Sequence, residues 1–329
     1  MLFFIFTFAR IFGKYNIHFL KMKILIFGGT GFIGSNLIPS LVKEGHQVIL
    51  FTRRKELKST NPVIPIISWN GTSLKQMADH FTGNYGIVNL AGENIGVKCW
   101  TGKQKNRILF SRVQVTEAIS EMIEIAAQKP KVIIQASAVG YYGSCGDAYL
   151  DEDSGKGHGF LAEVVNSWEQ SLNPEATRES RIVFIRTAPV FGSGGGSLPY
   201  MIMPFKLFFG GKMGNGNQWF PWIHIWDLVN AILHLFNRQD LSGPFNLSAP
   251  APVRNREFAE SVSLVLNRPN WFHIPAIVLK AALSERAEEL LLTSQRVVPK
   301  RLIESGYEFR FDRIEAALRD LLSKSEVNE

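Results

Sequence analysis

Apolar residues in this chain form short unbroken runs separated by segments in which they recur every third or fourth position. Ile24, Leu25, Ile26 and Phe27 are consecutive, as in a strand buried on both faces. Ile33, Leu37 and Leu41 follow at helical spacing, and Gln47–Thr52 reads as a second strand after a stop at Gly45. Further extended runs occupy Val63–Trp69, Gly86–Gly92, Lys131–Ala136 and Arg181–Arg186. Between and after them lie a polar amphipathic stretch at Ser73–Phe81 and helices over Val113–Ala127, Gly159–Glu169 and Leu228–Phe236, the last capped by Asp227. Alternating strand and helix predict an α/β fold with a doubly wound parallel sheet. From Gly243 the pattern changes to a strand at Gly243–Ser248, a break at Ala249–Pro252, and a helix from Arg256 capped by Asn255. Helices over Ala276–Leu283 and Arg286–Leu292 follow. These read as a small α+β C-terminal domain at 243–329 beside a main domain at 23–242, with a substrate-side insert near 193–226.

The first strand runs into Gly28, Gly31 and Gly34 before the first helix. That order makes a phosphate cradle of Rossmann type. Gly28 permits the sharp reversal, Gly31 keeps a side chain away from the amides, and Gly34 brings helix and sheet close. Gly28, Thr30, Gly31, Phe32, Ile33 and Gly34 are therefore the expected cofactor contacts. An acid about twenty residues on would bind the ribose 2′-hydroxyl of NAD. Thr52, Arg53, Arg54 and Lys55 stand there instead, with no carboxylate before Glu56. Hydroxyls and guanidinium groups suit a 2′-phosphate, so NADP is expected, with Thr52 and Arg53 as contacts. Arg54 and Lys55 suit a solvated turn equally well.

The spacing G-x-x-G-x-x-G resembles that of the short-chain dehydrogenase/reductase superfamily, and later segments extend the likeness. Asn89-Leu-Ala-Gly92 is similar to the family's Asn-Asn-Ala-Gly, and Ser137–Gly143 to the strand end of extended members, where Ser or Thr precedes Val-Tyr-Gly. Arg186–Gly192 resembles Arg-x-x-Asn-Val-Tyr-Gly. The resemblance implies cofactor contacts at Leu90, Ala91 and Val190, an adenine contact at Asn70, and a substrate-binding hydroxyl at Ser137. It also implies a catalytic Tyr-x-x-x-Lys pair. With Glu169 set on the family's glutamate, Leu161 and Val165 stand at those two places, and Phe160 is one residue off. Neither Phe160 nor Leu161 can exchange a proton, so Tyr141, Tyr142 and Glu163 are the possible substitutes. Ser137, Tyr141 and Tyr142 form the expected catalytic set.

Glu93–Arg112 carries Lys98, Lys103, Lys105, Arg107 and Arg112, with no further acid before Glu117. Such a stretch either covers an anionic ligand or forms a solvated basic face. Arg112 is its best cofactor contact, expected at the N-terminal end of the helix from Val113. Gly210–Asp227, rich in glycine, amides and aromatics, suits a mobile substrate cover, and His224 within it reads as structural or functional. Ser294–Lys300 (SQRVVPK) and Gly306–Phe309 (GYEF) complete a set with GGTGFIG, NLAGENI and FPWIHIWDL. On these motifs the chain is identified as a member of an atypical extended branch, the epimerase-family proteins of short-chain dehydrogenase/reductase family 39U and their bacterial relatives. The likeness spans Lys23 to Leu322. It implies an NADP-dependent oxidoreductase or epimerase-like protein without the Tyr-x-x-x-Lys pair, acting on a small molecule whose identity is open. The alternative is a non-catalytic NADPH-binding or sensing module acting through a protein partner.

Composition narrows this picture. The 329 residues include two cysteines, Cys99 and Cys145, which argues against a disulfide framework. A net charge of +7 without basic runs interleaved with aromatics gives no nucleic-acid partner. Residues 1–22 hold Arg10, Lys14 and Lys21, no acids and many aromatics, and Leu2–Phe8 is too short to span a membrane. They read as an organelle-targeting segment or an upstream extension, so the expected location is the cytoplasm, or a mitochondrion or other organelle if the segment targets. The oligomeric state is left open.

Overall fold

A computed structural model describes residues 21–53, 64–69 and 75–323. Val63, Asn70, Arg54, Lys55 and nearly all of the N-terminal stretch lie outside the described residues. The centre is a seven-stranded sheet of β1 (Lys23–Phe27), β2 (Gln47–Thr52), β3 (Ile66–Ser68), β4 (Tyr85–Asn89), β5 (Val132–Ala138), β6 (Arg181–Thr187) and β7 (Gly243–Leu247). Their order is β7-β6-β5-β4-β1-β2-β3, and every pairing is parallel. Apolar runs such as Ile24–Phe27 form such strands because helices cover both faces. On one face, Leu37 and Leu41 of α1 (Phe32–Lys43) meet Ile24, Ile26 and Val48. On the other, Val115, Ile119 and Ile123 of α2 (Gly102–Ile125) meet Leu25, Phe27 and Ile87. The helix α3 (Phe160–Gln170) lies beside α2 and β5, and α4 (Ile225–Asn237) beside α1.

Four local departures from the sequence pattern matter. Strand β7, read with the C-terminal domain, pairs with β6 in the main sheet. Helix α2 starts eleven residues before Val113, because the Thr101 side chain accepts from the Gln104 N–H (3.2 Å) and Ile108 is buried against the core. Arg112 is therefore mid-helix, away from the N-terminus. Asp227 does not cap α4. His224 does, its Nδ1 accepting from the Trp226 N–H (3.0 Å). The Asp227 carboxylate is fully buried and takes the N–H groups of Arg310 and Phe311 (2.9 Å each) and the Tyr307 hydroxyl (3.2 Å). Asn255 lies inside its helix, with its side chain accepting from the Met213 N–H (2.8 Å).

A further apolar cluster joins three helices at 198–206, 255–266 and 314–323 through Phe191, Ile202, Trp222, Phe258, Ile314 and Leu318. Asp227 ties the last of these to the main sheet. Replacing Asp227 by Ala should cost about 3 kcal/mol, since it strands buried N–H groups. Urea unfolding of the variant checks this.

Candidate functional site

The cradle is built at the carboxyl ends of β1 and β4. Gly28 has φ +75°, and a Cβ there would stand 2.6 Å from the carbonyl carbon and oxygen of Leu90. Two strand ends thus meet backbone to backbone at this glycine. A Cβ on Gly34 would lie 2.4 Å from Gly29 Cα, so its smallness seats α1 on the turn. Gly31 differs. It is exposed, and its Cβ would meet only the Gly28 oxygen, at 3.3 Å. Gly31 is also the N-cap of α1, and among the described residues no side chain caps that end. Open space beside uncapped N–H groups suits a pyrophosphate.

Side chains around the cradle fasten it. The Phe32 ring lies against the 190–196 hairpin, where Cβ atoms on Gly192 and Gly195 would stand 2.4 and 2.5 Å from it. Val190, in that hairpin, is buried in the main core. Asn89 Oδ1 accepts from the Ala91 N–H (3.1 Å) while its Nδ2 donates to Thr116 and Gln135, which fixes the Leu90–Ala91 turn. Thr52 is buried, its carbonyl accepting from the Trp69 N–H (2.7 Å), and Arg53 beyond it is exposed. Arg112 donates to the carbonyls of Ile108 (2.8 Å) and Glu93 (3.1 Å), and its guanidinium covers Gly92 and Trp168. Burial lowers its pKa to about 10, opposed by the Glu93 charge. Arg112 thus braces the Gly92–Glu93 turn from behind.

The three residues expected at the reacting end meet a buried polar network. Strand register sets Ser137 opposite Arg186 and Arg186 opposite Asn246. Ser137 donates to Glu169 (2.5 Å), and Glu169 receives two parallel hydrogen bonds from Arg186 (2.9 Å each). Arg186 also donates to the Tyr142 hydroxyl (3.1 Å), which donates to Asn246 (2.8 Å). The Asn246 N–H in turn donates to the buried Glu152 carboxylate (2.9 Å). Tyr142 is fully buried. Tyr141 is half-buried, its ring 3.7 Å from the Arg186 guanidinium. Leu161 and Val165 are buried on α3 against Gly140, whose Cβ would meet them at 3.3 and 3.8 Å. Glu163 is exposed and pairs with Lys156. The Glu169–Arg186 pair is absent from the sequence-level site. Its signal was an acid near the end of one helix and an arginine near the end of the next strand.

The C-terminal segment holds the loop after β5. Gln295 Nε2 donates to the carbonyls of Val139 (3.0 Å) and Gly143 (2.9 Å), and Ser294 Oγ donates to Gly146 (2.7 Å). Arg296 and Val297 pair in parallel with Tyr149 and Leu150. Glu289 accepts from the N–H groups of Phe160 (2.9 Å) and Leu161 (3.3 Å), capping α3 from a distant part of the chain. Glu285 pairs with Lys105 (2.8 Å), which also faces the Phe160 ring at 4.4 Å. The SQRVVPK motif and the residues before it are thus a clamp over the loop after β5 and over α3. Among the described residues, no helix is long and apolar enough to cross a membrane.

Burial raises the Tyr142 pKa to about 12, opposed by Arg186. The unfolded chain, with a tyrosine pKa of about 10, then loses this proton first. Stability should therefore fall as pH rises from 10 towards 12, and Tyr142→Phe should lose less over that window. Urea unfolding of both proteins at pH 8 and at about pH 11 tests this.

The model of the NAD dependent epimerase/dehydratase family matches residues 24–248, and a domain of unknown function, DUF1731, matches 274–321. The chain is 36% identical over 307 residues to the chloroplastic SDR39U1 homolog of Arabidopsis thaliana, an epimerase family protein, covering 92% of this chain and 87% of that one. It is 35% identical over 306 residues to epimerase family protein YfhF of Bacillus subtilis, covering 92% and 98%. The crystal structure of human epimerase family protein SDR39U1 (isoform 2) with NADPH superposes with a TM-score of 0.81 at 33% identity, covering 92% of this chain and 99% of that one.

Proposed function

This chain belongs to the NAD dependent epimerase/dehydratase family, and from that premise we propose that it is an NADPH-dependent oxidoreductase reducing a small carbonyl compound. The observation that carries this reading is the open glycine cradle at the uncapped start of α1, with Thr52 and Arg53 at the end of β2. The human relative with NADPH bound supports it. Gly28, Thr30, Gly31, Phe32, Ile33 and Gly34 would hold the pyrophosphate side. Leu90, Ala91 and Val190 would border the nicotinamide, and Arg112 would keep the Gly92–Glu93 turn in place. The bound cofactor would supply hydride.

Reduction also needs a proton for the substrate oxygen. Leu161 and Val165 cannot deliver one, and Tyr142 is held by Asn246 and Arg186. Tyr141 is the phenol left on the loop after β5. Its tyrosyl proton would be given to the substrate, with Ser137 acting through Glu169 to hold that loop's strand end. With apolar Leu161 and Val165 at the places of the family's catalytic pair, proton delivery would rest on Tyr141 alone and the reduction would run slowly.

A second reading, a non-catalytic NADPH-sensing module with a protein partner, is favoured by the apolar Leu161 and Val165 and by the hydrogen-bonded Ser137 and Tyr142. Single-turnover oxidation of bound NADPH by a panel of carbonyl compounds separates the two. The oxidoreductase should oxidise it, and Tyr141→Phe should slow this by ~10²-fold at unchanged NADPH affinity. No oxidation, with pull-down partners that change with NADPH, selects the module.

Cofactor choice has its own test. Arg53→Ala should weaken NADPH by about 1.5–3 kcal/mol, the worth of a hydrogen bond to a charged group, and leave NADH nearly unchanged. Calorimetry that shows equal weakening of both would remove Arg53 from the phosphate site.

A further inference from the structure

On the side of the molecule formed by residues 198–213 and 268–280, apolar side chains turn outwards. The helix Leu198–Lys206 buries Leu198, Ile202 and Phe205. Its other face carries Tyr200 (69% exposed) and Met203 (54%), and the stripe continues to Leu207 (59%) at the helix end. A helix that is apolar all round needs a partner on both faces. Phe208 and Phe209 follow, both more than half exposed. Phe208 has φ +65°, a conformation that a bulky residue rarely adopts and that glycine would adopt without strain. The ring is nevertheless presented to solvent at that cost. Trp271 and Phe272 adjoin this edge, with Phe209 and Phe272 rings 6.0 Å apart and the Phe272 N–H donating to Gly210 (3.1 Å). Ile277, 76% exposed, lies in the first turn of the helix Ala276–Leu283.

Cations predominate on this face. No Asp or Glu occurs from Thr187 to Trp226 or from Ser261 to Ser284. Lys206, Lys212, Arg268 and Lys280 are the exposed cations along it, and Arg268 lies 4.6 Å over the Phe208 ring. Two carboxylates stand at its border. Glu288 pairs with Lys280 (2.7 Å), and Glu260 shares a small recess with Lys212, Arg256 and Trp271. A contiguous apolar surface of this kind marks an interaction site. Aromatic rings set among lysine and arginine are the composition of an interface between water and lipid. A second copy of this chain fits less well. Two-fold pairing brings the same patch against itself, and here that would oppose cation to cation.

We propose that this face seats the protein peripherally on an anionic phospholipid bilayer, with Phe208, Phe209 and Trp271 entering the headgroup region and Lys206, Lys212 and Arg268 meeting lipid phosphates and carboxylates. This association needs no membrane-spanning helix, and it is independent of the reading of the cofactor site.

Co-sedimentation of the full chain with vesicles tests it, using phosphatidylcholine alone and phosphatidylcholine mixed with phosphatidylserine. The expected result is binding to the mixed vesicles that weakens with added salt. Phe208→Gly combined with Trp271→Ser should lower the partition coefficient by about ten-fold or more, the scale for one or two large apolar side chains. Phe208→Gly alone should keep or raise the melting temperature, because it removes the strained φ, while still lowering vesicle binding. Three results would overturn the proposal. One is no binding to the mixed vesicles. Another is undiminished binding by the double variant, which would assign association to another part of the chain, such as the aromatic and basic first 22 residues. The third is a concentration-dependent dimer that the double variant abolishes, which would give the face to a second copy.

Discussion

The buried pairing of Arg186 with Glu169 is the interaction on which the arrangement of the site depends. Their side chains are 6% and 14% exposed, so each would carry a heavy desolvation cost alone. Two parallel hydrogen bonds of 2.9 Å offset that cost only if α3 lies at one distance and angle from β6. Ser137 and Tyr142 complete the coordination of the pair, so β5 and the loop beyond it are held by the same charges. A network of this kind is stable when every member is satisfied and costly when one is removed. Side chains that a sequence pattern marks as reactive are here occupied in holding three elements together.

That constraint also explains the C-terminal clamp. The loop after β5 carries Tyr141 and Tyr142, and its Gly140 packs against Leu161 and Val165 of α3. Gln295 and Ser294 satisfy its carbonyls, and Glu289 satisfies the first N–H groups of α3, whose N-cap residue Gly159 (φ +110°) has no side chain to do so. A Cβ on Gly159 would stand 2.3 Å from Glu289, so the glycine and the distant acid fit as a pair. Binding from a remote segment fixes the loop at the cost of long-range chain closure. Among the described residues, no side chain caps the first N–H groups of α1 at the cradle, as a site for an anion requires.

The chain's own letters determined the sheet and the cradle. Apolar runs at 24–27, 47–52 and 181–187 became parallel strands because a strand covered on both faces needs no alternation, and that signature is local. The glycines at 28, 31 and 34 specify a turn whose geometry depends on neighbours within a few residues. Tertiary structure decided matters that depend on pairings between distant segments. Asp227 reads as a helix cap by spacing, yet its carboxylate is drawn to N–H groups more than eighty residues away, and His224 takes the cap. Gly243–Leu247 reads as the start of another domain until β6 offers it an edge. Ser137 reads as a free hydroxyl until strand register sets it opposite Arg186 and α3 brings Glu169 within reach. Local signals describe backbone conformation, whereas the partner of a buried polar group is chosen by whatever the fold brings beside it.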